Sequence, residues 1–419
     1  MAEFTPQASC CDSHEPNSLS VQQAQQQISD LIKPIQIWEK RALRDALGYV
    51  LHTAIISSAK VPPHNNSAMD GYAIHSADIS EQTFRLKQVG IAFAGQAYQG
   101  QIKAGECIRI MTGAIMPADC DTVIMQEHVE VNDNIITVYG QHNAKQNVRY
   151  AGEDLTIGDR VLEQGHKISP ADLGLLASLG IAEVIVKRKL RVAFFSTGDE
   201  LRSIGERLEQ GQIYDSNRYT LYGMLKRLGV DIIDLGVVPD QKQALRTALQ
   251  LAAEQADVVL TSGGVSVGDA DYIKEMLAEL GTVNFWKIAM KPGRPLAFGT
   301  LNNRLFFGLP GNPVSVMVTF YQFVIPALQQ LSGQSAQIKY QMQLTCISPI
   351  RKRAGRFEFQ RGILFEAENG QLQVKTTGEQ GSGILHSMSI ANCFILLDEN
   401  CDGVETNSLV TVQPFADLI

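Results

Sequence analysis

The sequence has no apolar run approaching the ~20 residues that a transmembrane helix needs, so no membrane partner is expected. It also has no compact Lys/Arg patch. Lys187, Arg188, Lys189 and Arg191 make one short run in a chain of formal net charge −8, and nothing there neutralises the phosphates of a duplex. No nucleic-acid partner is expected. Cysteine is sparse: Cys10, Cys11, Cys107, Cys120, Cys346, Cys393 and Cys401 are odd in number and show no metal-ligand spacing, which fits a reduced, cytoplasmic chain. The first twenty residues have neither a basic start nor an apolar segment and so do not read as a secretion signal, and 1–17 reads as a disordered leader. There is no internal repeat. What is present is a globular composition, 45% hydrophobic and 19% charged, over 419 residues, which implies two to four domains.

Along the chain the hydrophobic period changes three times. SVQQAQQQISDLIKPI carries Val21, Ala24, Ile28, Leu31 and Ile32 at helical spacing behind a serine suited to the N-cap. After Pro62 and Pro63 the chain turns to short β-branched runs (TFRLKQV, CIRIMTG, DTVIMQEHVEV, NIITVYG) until SPADLGLLASLG, where Ser169 and Pro170 begin a helix. From about Lys189, strand and helix patterns alternate through RVAFFSTGDEL, SNRYTLYGMLKRLG, VDIIDLGVVPD, QKQALRTALQLAAEQ, ADVVLTSGG, DADYIKEMLAEL, RLFFGLPGN and VSVMVTFYQFVIPALQQLSG. That alternation predicts a doubly wound, mainly parallel sheet. Beyond Gln337 five short, evenly spaced strands predict a small β-barrel.

In an open α/β sheet, ligands bind beyond the carboxyl ends of the strands, and three of those turns are unusual. They are Ser196-Thr197-Gly198-Asp199-Glu200, the run Thr261-Ser262-Gly263-Gly264-Val265-Ser266-Val267-Gly268, and Gly308-Leu309-Pro310-Gly311-Asn312-Pro313-Val314-Ser315. The second lets backbone N–H groups approach an anion, although it is neither a P-loop nor a dinucleotide fingerprint, and a plain glycine-rich connection remains the other reading. The third offers Asn312 as N-cap and Pro313 at the first helical position, with free amides beyond; a cap needing no ligand reads equally well. Asp199, Glu200, Asp240, Asp269 and Asp271 gather at the same strand ends, and hard oxygen donors beside a phosphate loop suit magnesium. Lys287 and Lys291, in one extended strand with Arg294 after it, share a face that holds an oxyanion or simply meets solvent. Polar loops at Asn65–Tyr72 and Arg149–Asp154 are ordinary Asn/Asp/Gly turns by their chemistry alone.

Seven motifs occur in one order: NSAMDGYA, MTGA at Met111–Ala114, GED at Gly152–Asp154, TGDEL, SGGVSVGDADY, KPGRP and GLPGNPVS. Together they resemble the molybdopterin molybdotransferases, the family that includes the carboxy-terminal domain of gephyrin, from about Ser18 to the end. The resemblance implies a multidomain α/β plus β fold: a discontinuous elongated helical domain (18–58 and 156–188), a β-rich domain inserted in it (59–155), a molybdopterin-binding α/β domain (189–335) and a C-terminal β-barrel (336–419). It implies a homodimer with an active site shared between subunits, adenylylated molybdopterin and molybdate as substrates, Mg2+ as cofactor, and as partners the upstream adenylyltransferase and molybdoenzyme maturation factors.

By the same resemblance Glu200, Asp240 and Asp271 hold magnesium or the attacking water. Thr197, Gly198, Ser262, Gly263, Gly264, Ser266, Pro310, Gly311, Asn312 and Pro313 cradle the pterin and its phosphate. Lys287, Lys291, Arg294, Arg361 and Ser382 hold molybdate, and Asp70, Thr112 and Asp154 enter from the partner subunit. His64 and Asn65 depart from the Phe and Asp that many relatives carry. Two other functions share parts of this pattern: the adenylyltransferase acting one step earlier, whose fold resembles the α/β domain alone, and a non-catalytic gephyrin-like scaffold, which the intact acidic set Asp154, Glu200, Asp240 and Asp271 argues against.

Overall fold

Ser20 caps the first helix, α1 (Val21–Leu31), and Gln23 completes a reciprocal box with it: the Ser20 hydroxyl accepts from the Gln23 amide and the Gln23 side chain accepts from the Ser20 amide. The computed structural model describes residues 18–80, 82–263, 272–336 and 340–417. By internal contacts the chain divides into two units, one formed by 39–186 and the other by the segment up to Trp38 together with Lys187 onward.

In the second-named unit the elements alternate between strand and helix, as the sequence predicts, up to Leu280, and from there run as four successive strands. The elements are β1 (Arg191–Thr197), α2 (Ser216–Leu228), β2 (Asp231–Val238), α3 (Lys242–Gln255), β3 (Val258–Ser262), α4 (Tyr272–Leu280), β4 (Gly281–Lys287), β5 (Met290–Lys291), β6 (Pro295–Leu301) and β7 (Arg304–Leu309). The sheet order is β2-β1-β3-β7-β6-β4, with β2, β1, β3 and β7 parallel and β6 antiparallel to both its neighbours. Its central strands are buried throughout because both faces are covered. Phe194, Leu260 and Phe307 pack with α1 and α2 on one face, while Ala193, Phe195, Val259 and Phe306 meet α3 and α4 on the other. Gly229 closes α2 in the left-handed conformation.

The long apolar helix is interrupted. It runs as α5 (Pro313–Thr319), a π turn (Phe320–Val324) and α6 (Ile325–Leu331). Pro326 has no N–H to give to the preceding turn, and the Gln322 carbonyl accepts instead from Gln25 Nε2 of α1 at 3.1 Å. By length and composition Pro313–Leu331 resembles a membrane span, but 78% of it is buried inside the fold, which makes it a core helix.

The chain then forms β8 (Met342–Cys346), β9 (Phe357–Glu366), β10 (Leu372–Thr376), β11 (Cys393–Leu397) and β12 (Ser408–Pro414). These run β9-β10-β8-β12-β11, and β11 pairs back onto β9, closing the predicted barrel. β5 leaves the α/β sheet and pairs in parallel with β9, matching Met290 to Phe357 and Lys291 to Glu358.

In the 39–186 unit the short β runs form a six-stranded sheet in the order Thr122–Met125, Gly71–Ile74, Glu106–Ile110, Phe84–Ala92, Ile135–Val138, Val129–Asn132. Alternate residues feed two cores, Ala73, Ile108, Ile110 and Val123 in one and Tyr72, Ile74, Cys107 and Ile124 in the other. The run DTVIMQEHVEV is broken by a 3-10 turn at Gln126–His128. The flanking segments pack around Leu51, Leu162, Leu176 and Val186, so the sheet is an insertion in that smaller body. The helix Pro170–Ser178 begins as predicted, with Ser169 and Asp172 capping each other. Burial pushes the Cys107, Cys120 and Cys393 thiols up to about 12, so these cysteines are inert packing groups.

Candidate active site

The parallel register brings the predicted turns together at one edge. Ser196 pairs with Ser262, Ser262 with Leu309 and Thr197 with Val238, so β1, β3, β7 and β2 end side by side. The turns Thr197–Glu200, Ser262–Gly263 and Pro310–Asn312, and Asp240 beyond β2, therefore leave the sheet from the same edge. Gly263 has φ +87°, and a Cβ there would lie 2.5 Å from the Thr197 carbonyl oxygen, so only glycine lets these two turns approach. A Cβ on Gly198 would meet the Glu200 carboxylate at 2.7 Å, which shows that carboxylate folded back over the turn.

The polar atoms at this edge are unusual. The hydroxyls of Ser196, Thr197 and Thr261, the Asp215 Oδ2 and the Asn217 Oδ1 are all buried without a hydrogen-bond partner among the described residues. Native interiors rarely leave such groups unmade, and a cluster of them marks a place where ligand or water completes the bonding. Asp215 and Asn217 stand at the start of α2. Asn217 Nδ2 donates to Ser262 Oγ at 2.9 Å and to the Gly311 carbonyl at 2.7 Å, tying the glycine turn to the Pro310–Asn312 turn. Neither residue was among the predicted site. The sequence signal was there in Asp215-Ser216-Asn217, a capping triplet directly after a strand, but capping alone explains such a triplet.

Burial first, and then the charges of Asp199 and Glu200, raise the Asp240 carboxyl above the ordinary carboxylate range. Carboxylates are thus crowded around Asp240, an environment a divalent ion relieves. Among the described residues no group of three or more Asp, Glu, His or Cys converges closely enough to ligate a metal alone. Magnesium asks less, since it binds through one or two carboxylates while keeping waters and taking phosphate oxygens, and Glu200 with Asp240 fits that demand. Gly264, Ser266 and Asp271 lie outside the described residues.

Two expectations are corrected. Lys287 and Lys291 do not share one strand face: Lys287 ends β4 in the α/β sheet, and Lys291 belongs to β5 on the barrel sheet. The strand breaks because Ile288 bridges to Leu19 and its amide bonds to the Arg294 carbonyl, turning the chain. Asn312 occupies the N-cap position of α5, but its side chain makes no cap bond, and the following Val314 amide is taken by the Ser382 carbonyl at 3.1 Å. Arg361 is 1% exposed, with Nε on Ser387 Oγ and Nη2 on the Gly381 carbonyl, and burial lowers its pKa to about 10 against the opposing charge of Glu358.

In the 39–186 unit the three polar loops also meet. Asn66–Ser67 pairs with Val148–Arg149, Ser67 exchanges backbone bonds with Gly113 and Ala114, and Asn65 Oδ1 accepts from the Ala151 amide. Asp70 accepts from the Thr112 amide at 2.7 Å and its hydroxyl at 2.8 Å, and these bonds hold the Asp70 carboxyl below its ordinary value. Asp70, Thr112 and Asp154 are all exposed.

Family models match the chain in three consecutive blocks: the MoeA N-terminal region (domain I and II) over 19–180, a probable molybdopterin binding domain over 193–330, and the MoeA C-terminal region (domain IV) over 343–415. A molybdopterin molybdenumtransferase of Haemophilus influenzae is 46% identical over 380 residues, covering 90% of this chain and 94% of that one. The chain belongs to the molybdopterin molybdenumtransferase family. A gephyrin of Dictyostelium discoideum is 34% identical over 89% of this chain and 58% of its own length. The crystal structure of a molybdopterin biosynthesis protein from Pyrococcus horikoshii superposes with a TM-score of 0.83 at 29% identity, over 95% of this chain and all of that one. Membership makes the chain an enzyme of molybdenum cofactor biosynthesis and carries the multidomain α/β, β-rich and barrel architecture with it.

Proposed function

We propose that the enzyme takes adenylylated molybdopterin and molybdate, releases AMP and leaves molybdenum on the pterin dithiolene. The observation that carries this reading is the single sheet edge where buried, unpartnered hydroxyls on glycine turns stand beside crowded carboxylates. The turns bind the pterin and its phosphate through backbone amides and the Ser262, Thr197 and Asn217 side chains. Glu200 and Asp240, with Asp271, hold a magnesium ion, which supplies charge neutralisation for the diphosphate when bound. Asp240 also orients the water that attacks the bond to AMP, and the proton passes to solvent. Lys287, Lys291, Arg294 and Ser382, with Arg361 behind them, retain molybdate until the two thiols bind molybdenum and displace one of its oxygens, which leaves with both thiol protons as one water.

Asp70 and Thr112, which brace each other, and Asp154, all exposed, are proposed to complete the cleft from the partner subunit of a homodimer acting in the cytoplasm. The upstream adenylyltransferase and molybdoenzyme maturation factors are the proposed macromolecular partners. The test is AMP release from adenylylated molybdopterin with magnesium, with and without micromolar molybdate. Molybdate-stimulated release with metal retained in the pterin product supports the transferase reading. Adenylylation of molybdopterin from ATP, or binding without turnover, would replace it with the adenylyltransferase or the scaffold.

A further inference from the structure

Strand pairing sets Lys291 of β5 beside Glu358 of β9, and the Lys291 ammonium lies 3.6 Å from one Glu358 oxygen. The partners differ in access: the lysine side chain is 48% exposed and the carboxylate 5%. The second Glu358 oxygen accepts from Gln360 Nε2 at 2.5 Å, and the same charge acts on the buried Arg361. At 3.6 Å the contact is an ion pair without a close hydrogen bond, so a second anion can draw the ammonium from it. A buried carboxylate among cations that attract a dianion opposes the very ligand they attract.

We propose that Glu358 sets the oxyanion affinity of this site: its carboxylate competes with the incoming dianion for Lys291 and offsets one positive charge, so that the anion is held loosely enough to be passed on. The inference rests on the reading that Lys291 and its neighbours take molybdate. Glu358 acts through Lys291, as a positioning and charge-setting residue that never touches the metal. Its loss therefore has an unusual sign. Damage to a structural residue weakens binding, whereas removal of this competitor strengthens it.

The experiment is calorimetric titration of the full chain with sodium molybdate. Glu358→Gln should bind about tenfold more tightly than the unaltered protein, and the gain should shrink in a Lys291→Met background. Glu358→Asp, which keeps the buried charge but withdraws it by one methylene, should tighten binding by about threefold and carries the test where the amide variant does not fold. Folded Glu358→Gln, or in its place Glu358→Asp, binding no more tightly than the unaltered chain overturns the inference while leaving the site reading intact. An unaltered chain that takes up no molybdate, or one whose affinity Lys291→Met leaves unchanged, overturns the site reading and this inference together.

Discussion

The edge of the α/β sheet and the loop cluster of the 39–186 unit are both polar, but they are built in opposite ways. At the sheet edge Ser196, Thr197, Thr261, Asp215 and Asn217 bury atoms that find no partner among the described residues. In the loop cluster Asp70, Asn65 and the Ser67 backbone are bonded to neighbouring loops, Asn66 Oδ1 is the one atom buried without a partner among the described residues there, and Asp70, Thr112 and Asp154 remain exposed. Buried orphan groups cost about 1–3 kcal/mol each and persist only where something else completes them. The first region therefore has bonding capacity left open for a ligand or water, and the second is a braced rim in which the Asp70 carboxylate already has its orienting bonds.

That contrast can be broken most decisively at Asp240. Asp240→Asn should reduce AMP release about 10²–10³-fold. Its melting temperature should nevertheless stay level or rise at neutral pH, because a carboxyl raised in the folded chain loses stability as pH rises through its raised value, and the amide removes that loss. A large drop in melting temperature would mean Asp240 is structural. Next in size is Gly263→Ala: positive φ and the 2.5 Å approach to Thr197 should lower the urea unfolding free energy by about 2–3 kcal/mol, with activity falling alongside. Asn217→Ala removes two hydrogen bonds between turns and should cost about 1–2 kcal/mol, raising KM for the adenylylated pterin more than it lowers kcat.

The smallest effect on stability is expected at Asp70. Its carboxyl is held below the ordinary value by Thr112, so its contribution is present above that ordinary value and is lost as pH falls through the depressed one. Asp70→Asn should melt about 1–2 °C lower at neutral pH, a difference that disappears in strong acid. An equal gap at both pH values would show that Thr112 is not its main partner.

Much of this was legible in the sequence because it is local. Ser20, Ser169 and Gly229 mark helix ends that form as expected, since a cap depends on residues three or four apart. The alternation from Arg191 to Leu280 exposed the parallel sheet, and the strand-end rule then pointed at Thr197, Ser262 and Pro310. The face shared by Lys287 and Lys291 was not there to be found: period-two reasoning assumes an unbroken strand, and Leu19, some 270 positions away in the chain, helps divert this one. Asn217 was missed because its bonds run to Ser262 and Gly311, which only folding brings near.

By itself, then, the sequence determined the order of architectures, the helix boundaries, and the residue types available for phosphate and oxyanion chemistry, because periodicity and turn chemistry are properties of short segments. Tertiary structure alone decided which of those residues stand together: that four strand ends share an edge, that Lys291 leaves one sheet for another, and that it meets a buried Glu358 there. The reason is that strand register and burial are set by contacts between segments far apart in the chain, and both the charge a site carries and the bonds it lacks follow from those contacts.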